Sequence, residues 1–180
     1  MDTLGKQSVL KRGSAGSSWR AAMPQNTLIR KASETDAGAI RDVINTAFSS
    51  AELFFVNGDR ITLAEVEEGL GRGAFLLAEL DGAVEGCVYV EPRGERAYLG
   101  LLSVHPKQQQ KGLGSRLVQA GEDYCGELSC RFMDIKIVNL RTELPDFYRK
   151  RGYVETGTSP FPSEVETKLP CHFIDMTKPL

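Results

Sequence analysis

No apolar run in this sequence approaches the roughly 20 residues that a helix needs to cross a bilayer, so no membrane-spanning segment is expected. Cysteine and histidine are scarce. Cys87, Cys125, Cys130 and Cys171 make no C-x-x-C pair, and the two histidines cannot complete a zinc site with them at recognised intervals. Cys87 and Cys125 fall at apolar positions and read as small core residues in a reducing, metal-free interior. Charge of one sign is lacking as well: a net charge of −2 gives no general pull toward nucleic acid. The familiar nucleotide motifs are missing too. A P-loop needs Lys followed by Ser or Thr directly after its second glycine, and here Gly114 is followed by Ser115-Arg116. A dinucleotide fingerprint needs a third glycine, and position 117 is Leu.

What is present fits one domain with a full core. The chain has 180 residues, 41% hydrophobic and 26% charged, ordinary for a globular protein. Its first 26 residues differ from the rest: Lys6, Lys11, Arg12 and Arg20 stand against one acid, Asp2, amid Ser and Gly. They hold no apolar signal core. The preferred reading of residues 1–26 is a disordered or removable extension, upstream of a start at Met23, on a cytoplasmic protein. An organelle transit peptide is the alternative.

From residue 27 the pattern becomes regular. Thr27–Ala32 alternates and reads as a strand, and Ser33, Thr35 or Asp36 then caps a helix through about Phe48. Thr62-Leu-Ala-Glu65 has capping-box form and opens a second helix to about Leu70. Residues 74–80 and 83–90 flank Asp81-Gly82, a hairpin signal. Pro92–Glu95 makes another turn before a strand over 97–104. A helix over 113–128 places Leu113, Leu117, Val118, Tyr124, Cys125 and Leu128 on one face. A buried strand over 132–138 follows, then a short helix over 144–151 ended by Gly152, then strands over 153–158 and 171–177 around a proline-containing loop.

The stretch from Leu102 to Leu117 carries the chemistry. A strand ends at Val104-His105-Pro106, a polar loop brings Gly112 and Gly114, and an amphipathic helix starts behind them. Unpaired N–H groups at such a helix start, with about half a positive charge from the dipole, make an anion site, and glycine allows close approach of a phosphate.

The pattern Gln109-x-x-Gly112-x-Gly114 in this context resembles the acetyl-CoA pyrophosphate loop of the GNAT N-acetyltransferase superfamily, and the element order is similar over nearly the whole domain, residues 27–180. A second stretch, Asn139 to Tyr153 with Phe147-Tyr148-x-x-x-Gly152-Tyr153, resembles that family's second cofactor motif. The resemblance implies an α/β fold with a mixed, mostly antiparallel sheet of six to seven strands. About four helices would flank it, and it would splay between the fourth and fifth strands. It implies acetyl-CoA as cosubstrate and no metal. The cofactor would be held by Leu102, Ser103 and Val104 on the strand edge, by Gln109, Gln110, Lys111, Gly112, Leu113, Gly114 and Ser115 in the loop, and by Asn139 and Tyr148. Lys107, Lys111 and Arg116 would screen the 3′-phosphate.

Tyr148 is the expected catalytic residue. A phenol of pKa near 10 can protonate a thiolate of pKa near 8.5 while staying neutral at pH 7. Where many members carry an acid on the fourth strand, this chain has Tyr98; Glu91, Glu95, His105 or a water chain stay open as base. Phe54, Phe55, Phe161 and Pro162 are candidate acceptor-pocket walls. The implied activity is direct acetyl transfer in a ternary complex to a primary amine of a small molecule or peptide. A non-catalytic acyl-CoA sensor and a protein N-acetyltransferase are the alternatives; a homodimer is left open, and neither nucleic acid nor membrane is an expected partner.

Overall fold

The computed structural model describes residues 27–180, and the expectations for the first 26 residues lie outside them. The strands are β1 (Thr27–Lys31), β2 (Ala74–Leu80), β3 (Ala83–Arg93), β4 (Arg96–Val104), β5 (Phe132–Val138), β6 (Val154–Pro160) and β7 (His172–Pro179). The α-helices are α1 (Ala37–Glu52), α2 (Leu63–Arg72), α3 (Leu113–Glu127) and α4 (Leu144–Arg149). One seven-stranded sheet runs in the order β1-β2-β3-β4-β5-β7-β6. Among the described residues only β4 and β5 pair in parallel, and α3 is the crossover that a parallel pair requires.

Local chemistry explains most element boundaries. Thr62 accepts from the Glu65 amide at 3.3 Å while the Glu65 carboxylate takes the Thr62 amide at 2.8 Å, so the expected capping box starts α2. Asp81 and Gly82 both have positive φ, +50° and +82°, which matches the twist of a tight hairpin joining β2 to β3. The turn after β3 is tighter than the sequence implied: β3 runs through Arg93, and Pro92 still pairs with Ala97. Helix α1 runs four residues past Phe48, to Glu52. Leu128, expected on the apolar face of α3, lies beyond its end and is 51% exposed, because the helix has already terminated at Glu127.

The sheet is covered on both faces. Ile40, Val43 and Ile44 of α1 and Val66 of α2 pack with Phe75, Leu77, Cys87 and Tyr89. Leu113, Leu117, Val118 and Cys125 of α3 and Tyr148 of α4 pack with Leu76, Val88, Val90, Leu99, Met133, Ile135 and Ile137. Alternate residues of β2 therefore enter different cores, and its sequence is a continuous apolar run interrupted only by Glu79. Gly121 seats α3 closely: a Cβ there would lie 3.0 Å from Val90 and 3.2 Å from Leu99.

Candidate active site

The sheet opens at one place. β4 and β5 pair only over Arg96–Tyr98 and Phe132–Asp134, then part. Just beyond, Leu101 takes φ +51°, a left-handed backbone that a branched side chain adopts only under strain of about 1–3 kcal/mol. The register against β3 slips at this point, between Cys87 and Tyr89, as a bulge. Beyond Tyr98, the β5-facing edge of β4 has no strand partner. The side chain of Ser103 is buried and donates to the Leu101 carbonyl at 3.0 Å, while Leu102 and Val104 pack partly against the core. The wedge between the strands is a cleft of about 250 Å³, bounded by Leu99–Leu102 and Ile135–Val138.

At the end of β4 the chain makes a 3-10 turn, Pro106–Gln108, and reaches α3 through Gln110 at φ +64° and Gly112 at φ +78°. A Cβ on Gly112 would meet no atom within 4 Å, so the space it faces is open. Among the described residues no protein acceptor lies against the amides of Gln110, Lys111, Gly112, Leu113, Gly114 or Ser115; the first helical bond is Arg116 N–H to the Gly112 carbonyl at 3.2 Å. Six unanswered donors at the positive end of a helix dipole suit an anion. The loop's side chains turn back on the loop itself. Gln109 Nε2 donates to the Val104 carbonyl at 3.1 Å, and Lys111 Nζ donates to Gln108 Oε1 at 3.0 Å. Gln109 therefore ties the loop to the strand end rather than reaching outward. Leu113 is a core residue, Lys107 is exposed and Arg116 is half-buried.

Arg151 was not anticipated from the sequence. Its guanidinium stacks on Phe147, 3.5 Å from the ring centroid, and donates to the Phe147 carbonyl and the Ser115 hydroxyl. Both acceptors are neutral, and its Nε is buried without a partner. Desolvation lowers its pKa, the sign of a cation held beside the positive end of α3 with no anion in contact. A basic residue next to the Gly152 cap was the available signal.

Tyr148 lines the cleft from α4. Its ring packs edge-on against Phe147 and Tyr153, with centroids 5.0 and 5.3 Å away. Among the described residues its hydroxyl has no hydrogen-bond partner, and it is open to the cleft. Burial holds the phenol above its usual pKa, so it stays protonated at neutral pH. Asn139 lies outside the cleft lining: its amide and its Oδ1 are both engaged with the backbone of His172, at 3.0 and 2.9 Å, and among the described residues its Nδ2 has no partner.

The residues left open as bases do not converge here. Glu91 accepts from Tyr89 and Arg93, Glu95 is exposed and faces Arg131 at 3.6 Å, and His105 accepts from the Lys107 amide, 3.7 Å from Glu85. None of the three lines the cleft, whereas Tyr98 does. Phe161 and Pro162 are walls as expected, but Phe55 is a fully buried core residue and Phe54 is exposed and does not line the cleft. The connection after α1 and the loop after β6 meet through a bridge between Val56 and Thr167. Lys168 adds a donation to the Leu53 carbonyl at 2.6 Å.

Glu52, also missed, lines this cleft with 7% exposure, and its Oε1 accepts from Arg141 at 3.3 Å. It falls four residues after Phe48 and eight after Ile44, a polar residue on the apolar stripe of a helix that the sequence reading ended too early. None of the four cysteines lines the cleft, and burial pushes Cys87 and Cys125 up to about 12, so neither is a nucleophile at neutral pH. Among the described residues no cluster of His, Cys, Asp and Glu could hold a metal ion, and no helix is long and apolar enough to cross a membrane.

Comparison with known proteins accords with this geometry. The chain superposes on the ribosomal-protein-alanine N-acetyltransferase of Brucella melitensis with a TM-score of 0.70 at 22% identity, covering 85% of this chain and 99% of the other. For Ard1 of Thermoplasma volcanium the values are 0.70, 20%, 86% and 97%. For yncA of Salmonella typhimurium, determined with its cofactor acetyl-CoA, they are 0.68, 23%, 87% and 95%. These likenesses establish the fold. No curated protein matches the sequence. The profile of the acetyltransferase (GNAT) family matches residues 40–153, well over half of the chain, and the protein is therefore a member of the GNAT acetyltransferase family.

Proposed function

We propose that the protein is an acetyl-CoA-dependent N-acetyltransferase acting by direct transfer to a primary amine. The observation that carries this reading is the set of six unanswered amides at residues 110–115, set at the end of an open strand edge. They fit the diphosphate of coenzyme A, and Gly112 leaves the room that a phosphate needs. The Leu102 backbone and the Val104 N–H alternate away from β3 and offer the pantetheine arm the hydrogen bonds of an added strand, while the Ser103 backbone faces Cys87 of β3. Arg151 supplies a cation beside the phosphates, and the Nδ2 of Asn139 is the donor left for a cofactor carbonyl. Bound acetyl-CoA supplies the activated acetyl thioester. Tyr148 is the donor for the departing sulfur, and burial keeps its phenol neutral at pH 7.

The test is release of CoA from acetyl-CoA across a panel of small amines and free-N-terminus peptides, with Tyr148→Phe as control. Turnover of one class defines the acceptor, a small molecule or a peptide. Tyr98, which the family resemblance sets where many members carry an acid, favours the alternative of a non-catalytic acyl-CoA sensor, for which cofactor binds and no acceptor turns over.

A further inference from the structure

Resting on that reading, the geometry points to Glu52 as the receptor and base for the acceptor, which is therefore a cationic primary amine rather than a neutral nucleophile. Glu52 ends α1, where the helix dipole is negative and a carboxylate is disfavoured. It is also largely removed from water, with 9% side-chain exposure. A carboxylate at the wrong end of a dipole and out of solvent costs folding free energy, unless a partner balances it. Only half of that balance is present in the protein. Arg141, anchored by Glu143 at 2.7 Å, holds Oε1. Among the described residues Oε2 has no partner, and it is open to the cleft that Tyr148 and Leu102 also line. That is the arrangement for a group meant to receive a cation from solution.

The charged and titratable groups around Glu52 come from several elements. Arg141 and Glu143 follow β5, and Arg60 precedes α2; the two arginines favour the carboxylate and Glu143 opposes it. Asp59, Lys136, Tyr98 and Tyr148 line the same cleft. Desolvation outweighs the arginines and leaves Glu52 above the usual glutamate range, closer to neutral pH, where a base is more effective.

The step balances. The acceptor ammonium gives one proton to Glu52, and the freed lone pair forms the C–N bond to the acetyl carbon. The C–S bond breaks, and sulfur leaves with its electron pair and takes the Tyr148 proton. The second proton lost by nitrogen restores Tyr148 through water, and Glu52 returns its proton to solvent. The net change is an ammonium and a thioester giving an amide, a thiol and one proton.

The experiment compares wild-type full-length protein with Glu52→Gln, using two probe nucleophiles: phenethylamine, cationic at pH 7, and hydroxylamine, uncharged there. With phenethylamine kcat/KM should fall roughly 100-fold or more. With hydroxylamine it should stay near wild type, and acetyl-CoA affinity should not change. Equal losses with both probes overturn the role of Glu52 and leave the acetyltransferase reading standing. No CoA release from wild type above the enzyme-free rate with either probe overturns both. Arg141→Met provides a second measurement: removing the cation raises the Glu52 pKa, so the acid limb of the phenethylamine profile should move to higher pH, and an unmoved limb refutes the assignment.

Discussion

Two tyrosines separated by four residues and in ring contact with each other allow one structural argument to be tested against itself. Tyr148 and Tyr153 are both buried, at 6% and 1% exposure, and their ring centroids lie 5.3 Å apart. Their hydroxyls differ. That of Tyr153 donates to Glu122 at 2.9 Å, inside a buried cluster in which Lys178 also donates to Glu122 at 2.6 Å. That of Tyr148 has no partner among the described residues. Tyr148→Phe therefore removes no native hydrogen bond, and the stability change should be within about 0.5 kcal/mol. Tyr153→Phe leaves a buried carboxylate one donor short and should cost about 1–3 kcal/mol. Activity should reverse this order. A positioned general acid contributes about 10²–10⁴-fold, or about 2.7–5.4 kcal/mol of barrier. Tyr148→Phe should lower kcat by that factor with little change in acetyl-CoA affinity, while Tyr153→Phe, assayed well below its melting temperature, should keep most of its turnover. The assay is thiol release at saturating acetyl-CoA, paired with thermal melting. Because the Tyr148 phenol lies above its usual pKa, its contribution should persist through mildly alkaline pH. Wild-type turnover by Tyr148→Phe would refute the reasoning, whatever its effect on stability.

Gly112→Val should abolish acetyl-CoA binding by calorimetry, and its left-handed backbone adds a stability cost of about 1–2 kcal/mol seen in denaturant melts; unchanged affinity would count against the amide cradle. Arg151→Met should weaken acetyl-CoA about 10–100-fold, the worth of a charged hydrogen bond, and flatten the dependence of affinity on salt. An unaltered salt dependence would mean that Arg151 only packs. For Glu52, the folded pKa lies above the unfolded value, so between the two the native state binds more protons and stability falls as pH rises. Glu52→Gln should therefore melt above wild type at pH 8 and close to it at pH 4, and a pH-independent difference would contradict the burial argument.

Periodicity and turn chemistry carried much of the architecture. The Asp81-Gly82 hairpin, the Thr62–Glu65 capping box and the bounds of β5 are local facts, settled by neighbours within a few residues, and they stand as the sequence implied. The loop with Gly112 was legible for the same reason, since a strand end, two glycines and a helix start are contiguous in the chain. The end of α1 was not legible. Ser49-Ser50-Ala51-Glu52 carries no stop signal, and only burial against Arg141, 89 residues away, shows why a glutamate lies on the apolar stripe. Arg151 was hidden likewise, because its meaning comes from Ser115 on another helix.

The sequence by itself determined most of the strands and helices, where the two-glycine loop before α3 lies and which family the residue patterns resemble, because each rests on short-range sterics and hydrogen bonding. Tertiary structure decided three further matters. It inserted β7 between β5 and β6, parted β4 from β5 beyond Tyr98, and gathered Glu52, Tyr98, Arg141 and Tyr148 around one cleft. Those outcomes depend on contacts between residues far apart in the chain, where desolvation and charge pairing act on groups that no local pattern brings together.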